Sequence, residues 1–222
     1  MKNHIFTEPN IYGEIEEKIK QLINTTPNIV NSRSLSSPRA VGDALQDLLE
    51  KKFPDVLPTD ILKNYTSQFA RRAMADFAFE DINDYYYVVD AKTHNLDTKF
   101  NMPNLTSVER LSRFYEEQKN YFTLLMTAYE VVNDKIIVAD CFFLPIEHLK
   151  WDCLTIGALG WGQIQIANSN NIIIDRTQTR KEWMLTLCDT LFEFYPKEIS
   201  KITSRIDHFK RIREYWENQP NI

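Results

Sequence analysis

Apolar residues recur at helical spacing near the start of the chain. Ile11, Ile15, Ile19, Leu22 and Ile23 fall on one face of residues 11–24, which predicts an amphipathic helix. The polar run NSRSLSSPRA (31–40) reads as a loop. A second helix is expected over 41–52, ended by Pro54. Residues 54–68 hold Pro54 and Pro58 and read as partly irregular.

The pattern then changes to aromatic and β-branched runs. DFAFE (76–80) and YYYVVDAK (85–92) predict a β-hairpin turning at Asp81-Ile82-Asn83-Asp84. Residues 93–105 read as a polar loop, and Thr106 with Glu109 as a capping box that opens a helix to about residue 119. Two further strands, 121–132 and 135–144, meet at Asn133-Asp134, and a last hairpin is expected from 163–167 and 172–175. Thr179 with Glu182 forms a second capping box, opening a helix that Pro196 interrupts before another runs to about residue 217.

Helices, a mostly antiparallel set of strands with a crossing helix, then helices again describe a mixed α/β or α+β fold. The expectation is one domain over 1–222, with 1–30 as a helical N-terminal segment and 179–222 as C-terminal helices. Trp161 and Trp183 are expected in the core.

Composition narrows the function. The chain has 222 residues, 43% of them apolar, and only five glycines, with neither GxGxxG nor GxxxxGK among them. The most apolar stretch, 136–146, is broken by Asp140 and Pro145 and is too short for a membrane span. The opening MKNHIFTEPN lacks the apolar run of a signal peptide. Three scattered cysteines suit reduced thiols, so a cytoplasmic protein is expected. The histidines have no zinc spacing and no GxSxG elbow occurs. A net charge of −5 argues against a broadly basic nucleic-acid binder but leaves room for a local basic surface.

The chemistry concentrates at Asp76 and Asp90-Ala91-Lys92. Alternate strand residues share a face, so Asp90 and Lys92 point together and Ala91 points away. With a loop at 82–84, Asp81 pairs with Tyr85, and counting outward sets Asp76 opposite Asp90. Two carboxylates that close repel unless a cation intervenes. A divalent metal such as Mg²⁺ satisfies them, and an adjacent lysine can orient water and stabilise a phosphoryl transition state.

Asp76…Asp90-Ala91-Lys92 resembles the signature of type II restriction endonucleases of the PD-(D/E)xK superfamily. The runs YYYVVDAKTHN and FNMPNLTSVERL, the segment WGQIQI (161–166) and TRKEW (179–183) resemble corresponding regions of that family. The resemblance spans roughly residues 40–215, patchily. It departs at Ala75, where the family often has proline.

The resemblance implies a restriction-endonuclease-like central mixed sheet flanked by helices. It implies Mg²⁺, with Mn²⁺ as a substitute, bound by Asp76, Asp90 and Ala91, and cleavage of double-stranded DNA to leave a 5′-phosphate. The family also carries an acidic residue on an N-terminal helix, for which Asp43, Gln46 and Asp47 are the candidates.

DNA contacts are expected from Arg33, Ser34 and Arg39 in the serine-rich loop, and from Asn101, Met102 and Asn104 after the lysine. Gly160, Gln163, Gln165 and Asn168 are candidates for base reading, with an A/T-leaning target because the loop has amides and no arginine. Lys197, Lys201, Arg205, Lys210, Arg211 and Arg213 make a basic helical face. A palindromic site calls for a homodimer. The N-terminal isoleucine stripe serves either as the dimer surface or as part of its own core. The alternatives are a structure-specific repair nuclease of the same superfamily and a non-catalytic DNA- or protein-binding domain.

Overall fold

The computed structural model describes residues 4–31, 34–67 and 74–220. Its contacts divide the chain into two compact units, Met1–Thr177 and Gln178–Ile222. In chain order the first unit holds α1 (Pro9–Thr25), α2 (Pro38–Val56), β1 (Leu62–Thr66), β2 (Phe77–Asp81), β3 (Tyr86–Asn95), β4 (Asn104–Ser107), α3 (Val108–Phe114), β5 (Asn120–Val132), β6 (Lys135–Pro145), β7 (Leu154–Gly157) and β8 (Gln163–Ile166). The second unit holds α4 (Arg180–Glu217). The fold is α+β, as the pattern of elements implies. No described helix is long and apolar enough to cross a membrane.

The central sheet has the order β1-β2-β3-β5-β6, and a second sheet has the order β4-β8-β7. The central sheet is mixed and mostly antiparallel, as expected; among the described strands only β3 and β5 run parallel. Parallel neighbours need a crossover, and residues 96–119, with β4 and α3, carry the chain back to the starting end. The β5–β6 hairpin turns at Asn133 (φ 50°) and Asp134 (φ 60°), the two left-handed residues a tight hairpin requires.

Phe53, Phe77, Phe79, Tyr87 and Phe143 pack together on one face of the central sheet. The isoleucine stripe of α1 closes that core, and Ile15, Ile19 and Ile23 are buried. Each contributes roughly 1.5–3 kcal/mol. Lys20 Nζ donates to the Ala139 carbonyl at 2.7 Å and Val138 N–H to Asn24 Oδ1 at 2.8 Å, which fixes α1 along β6. The stripe therefore belongs to its own core and not to a dimer surface.

Several boundaries differ from the sequence reading: α2 starts at Pro38 inside the expected 31–40 loop, β3 and β4 enter the expected 93–105 loop at its two ends, and β1 occupies part of 54–68. Pro54 does not end α2, which continues to Val56. Its missing N–H would orphan the Glu50 carbonyl, but Tyr65 Oη donates to that oxygen at 2.5 Å. Thr106 lies in β4 and caps nothing. Helix α3 starts at Val108, after Ser107, and ends at Phe114. The 163–167 strand pairs with β4 and β7, while Ile174 makes only an isolated bridge to Leu149. Both cross-strand choices depend on distant segments that periodicity does not see. Trp161 is exposed at 55%, with the Arg113 guanidinium 5.8 Å from its ring centroid, so it is not a core residue.

Helix α4 begins with the expected capping box. Glu182 N–H donates to Thr179 Oγ1 at 3.3 Å, and Thr179 N–H to Glu182 Oε2 at 2.9 Å. Pro196 stands inside a single helix of 38 residues and does not split it. Proline deprives one carbonyl, here of Phe192, of its donor, and the turns on either side keep theirs.

The β2–β3 hairpin fixes the geometry of the candidate site. Asp81 is buried, and its Oδ1 accepts from the N–H groups of Asn83 (2.8 Å) and Tyr85 (3.0 Å). Its Oδ2 accepts from Tyr87 Oη at 2.8 Å. Asp84 closes the loop in the left-handed region (φ 61°). The register runs Phe77 with Val89 and Phe79 with Tyr87, as the three-residue loop predicts. Asp81→Ala leaves several donors without an acceptor and is expected to cost about 2–4 kcal/mol of stability. Urea unfolding reads this as a lower midpoint at unchanged slope. A loss under about 0.5 kcal/mol, the size of an ordinary surface substitution, would show that Asp81 does not hold the turn.

Candidate active site

Strand β3 leaves the core at Asp90. Tyr87, Val88 and Val89 are buried, Asp90 is 6% exposed, and the strand from Ala91 onward is half-buried. Asp76 precedes β2 by one residue, and its N–H donates to the Val89 carbonyl at 2.9 Å, which continues the ladder. Ala91 N–H donates to Asp76 Oδ2 at 2.7 Å. Lys92 Nζ donates to Asp90 Oδ1 at 2.7 Å. The two carboxylates and the ammonium thus meet at one end of the hairpin, and the Ala91 side chain packs against the core on the opposite face.

The pair carries two negative groups against one nearby positive one. Burial pushes Asp90 up to about 7; Lys92 opposes this and the Asp76 charge adds to it. Burial also holds Asp76 above the ordinary carboxylate range, while the Ala91 N–H and Lys92 pull it down. Asp90 Oδ2 is buried with no hydrogen-bond partner. A buried carboxylate oxygen left bare is costly unless a cation or donor meets it.

Helix α2 settles which of its three candidates reaches this point. Gln46 Nε2 donates to Asp76 Oδ1 at 2.9 Å and to Glu50 Oε1 at 2.8 Å. Asp43 and Asp47 are exposed on another face. Glu50 was not among the sequence candidates. The signal for it was its position four residues after Gln46, one turn along the same face. Gly42 lets α2 approach β3 closely, since a Cβ there would lie 3.0 Å from Thr93 Oγ1.

A cleft of about 420 Å³ opens at the carboxylates. It is lined by Asp76 and Asp90, by Thr106 and Arg110 around the β4–α3 junction, and by Gly160 and Gln163. Arg110 is exposed on the first turn of α3 and was missed from sequence, because only the β4–β8 pairing brings that turn beside the carboxylates. Gly160 adopts φ 59°, which favours glycine there. Lys92 and Asn101 line a second cleft of about 260 Å³, with His94 held between Ser169 Oγ (3.0 Å) and Asn170 Oδ1 (2.8 Å).

The remaining expected contacts are more scattered. Gln165 Nε2 donates to Asn104 Oδ1 at 2.6 Å, so these two amides hold each other across β4 and β8. Asn168 Oδ1 accepts from Asn170 N–H at 3.0 Å, a turn-forming role. Met102 is 40% exposed. Arg39 is exposed on the first turn of α2, seven residues before Gln46 and so on its face. Ser34 bonds Asn31 Oδ1 at 3.0 Å, and its neighbours Asn31 and Leu35 border a separate cleft beside the β5–β6 turn. Arg33 lies outside the described residues.

Among the described residues no cluster of three or more His, Cys, Asp or Glu side chains is arranged to hold a metal ion. The donor set at the hairpin is two carboxylates, which suits a hard cation that takes its other ligands from water and phosphate. The bare Asp90 oxygen fits that group. Neither a comparison with protein-family models nor a search of curated proteins finds a match to this chain.

The folded value of Asp90 lies above its unfolded one, so ionising it penalises the folded state. Its favourable contribution is full below the unfolded value, near pH 4, and is lost as pH rises through about 7. Asp90→Asn has no proton to lose. Without added metal, the variant is expected to gain on wild type in melting temperature by several degrees between about pH 5 and pH 8, read by thermal scanning. Parallel curves would contradict the burial of an uncompensated charge.

Proposed function

We propose that this protein is a divalent-metal-dependent endonuclease acting on double-stranded DNA, in the manner of a homodimeric type II restriction enzyme. The observation that carries the reading is the buried Asp90 oxygen without a partner, with Asp76 beside it on an open cleft and Lys92 bonded to the other Asp90 oxygen. Mg²⁺, or Mn²⁺ in its place, held by Asp76, Asp90 and the Ala91 carbonyl, supplies stabilisation for charge developing on a phosphate.

The chain's own residues divide the remaining work. Lys92, bound to Asp90, presents a donor that orients the attacking water and offsets negative charge as it builds. Water attacks phosphorus, the bond to the 3′ oxygen breaks, and the 5′-phosphate stays on the other fragment. Gln46 and the Ala91 N–H hold both oxygens of Asp76 and so fix its plane. Arg110, with Arg39 on the outer turn of α2, supplies local positive charge for the DNA backbone on a protein whose net charge is −5.

Gly160 admits close approach of a backbone, and Gln163 in the same cleft offers an amide to a base edge, which favours an A/T-leaning site. Gln165 and Asn104 reach bases only by giving up their bond to each other. A palindromic target is met by two copies of the chain.

A digest of phage and plasmid DNA with Mg²⁺ tests this. Wild type is expected to give discrete bands, and Lys92→Ala and Asp90→Ala to lose about 10²–10³-fold in rate, the loss of a charge-stabilising group. A smear in place of bands would replace the sequence-reading nuclease with a structure-specific one. No cutting with Mg²⁺ or Mn²⁺ would overturn the proposal.

A further inference from the structure

The chain carries a second apolar stripe, on α4, and this one is exposed. Phe192 (72%), Ile199 (65%), Ile202 (49%), Ile206 (52%), Phe209 (66%) and Trp216 (64%) all face outward. Their spacing follows a heptad. Leu185, Phe192, Ile199 and Ile206 fall seven apart in one column, and Tyr195, Ile202, Phe209 and Trp216 fall seven apart in the column three residues on. Alternating steps of three and four are the seam of a left-handed coiled coil. Pro196 falls in a flanking column, outside the seam.

We propose that α4 is a dimerisation helix that pairs with α4 of a second copy of this chain, running antiparallel. The flanking charges choose both the partner and the direction. In an antiparallel pair centred between Ser200 and Lys201, Ile199 meets Ile202 of the partner subunit and Phe192 meets the partner's Phe209. That register sets Glu198 beside Arg205 of the partner subunit, and Asp189 beside the partner's Lys210. Each contact occurs twice by symmetry. Arg213, which breaks the first column, then faces Cys188 of the partner subunit at the end of the seam.

In a parallel, in-register pair, Arg205 would instead lie beside the partner's Lys210, and Arg213 would face its own copy. Like charges at flanking positions disfavour that direction. Within the helix Glu198 is paired with Lys201 (2.7 Å) and Lys210 with Asp207 (3.0 Å), so the contacts between copies share these charges with their intrahelical partners. The inference stands on α4 alone. It gives the homodimer of the proposed nuclease a surface, since the α1 stripe is already buried.

The full chain tests it by sedimentation equilibrium, without metal or DNA. Wild type at tens of micromolar is expected at twice the 26.2 kDa chain mass. The double variant Ile199→Asp/Ile202→Asp, at two exposed positions, is expected to weaken the dimer at least 100-fold with its circular dichroism and melting temperature kept. Glu198→Arg is expected to weaken it at least tenfold, and Glu198→Arg/Arg205→Glu to restore it. Mild oxidation of Arg213→Cys is expected to link the new thiol to Cys188 of the partner subunit.

A monomeric wild type, or a dimer indifferent to the double aspartate variant, would overturn the seam. A wild-type crosslink between the two Cys188 thiols would overturn its direction. Because these readouts involve no cleavage, their failure is distinct from failure of the digest.

Discussion

The register of the β2–β3 hairpin is the constraint on which the candidate site depends. A strand has a side-chain period of two, so a slip of one residue turns every side chain to the other face. Such a slip of β3 would bury Lys92 and expose Val89. Asp81 prevents it at the turn, five residues from Asp76, by gathering two loop N–H groups and the Tyr87 hydroxyl. The hairpin therefore works as a ruler: its turn sets the register that ends at Phe77 and Val89, next to Asp76 and Asp90.

A second constraint comes from α2. Its C-terminal part crosses behind the hairpin and brings Gln46 onto Asp76. The helix can run that far because Tyr65 Oη replaces the donor that Pro54 lacks. Glu50, whose carbonyl receives that bond, also anchors the Gln46 amide through its side chain. A proline that reads as a helix stop is thus tolerated because a strand residue eleven positions later supplies the donor it lacks.

The electrostatics of the site run against stability. Asp90 is nearly inaccessible, lacks a partner for one oxygen and sits beside the half-buried Asp76 carboxylate. Lys92 compensates only one charge. Buried carboxylates of this kind are costly unless something else completes them, and perturbed carboxylates in a cleft mark a candidate functional site. The exposed stripe on α4 is the corresponding mark on the second unit: apolar area of that extent facing water is costly unless it is covered.

Much of this was legible in the sequence because it is local. The isoleucine period of α1, the aromatic strand YYYVV, the Asn133-Asp134 turn and the Thr179–Glu182 capping box each depend on neighbours within a few residues. The Phe77–Val89 register that brings Asp76 and Asp90 to one end of the hairpin was also legible, because a short hairpin loop fixes it by counting. What the sequence could not decide was any contact between distant segments. The parallel pairing of β3 with β5, the joining of β4 and β8, the arrival of Glu50 and Arg110 at the carboxylates and the exposure of Trp161 all depend on how separate elements pack. Periodicity reports which face of an element is apolar. Only the tertiary structure decides what meets that face, because the free energy of burial is indifferent to which apolar surface supplies it.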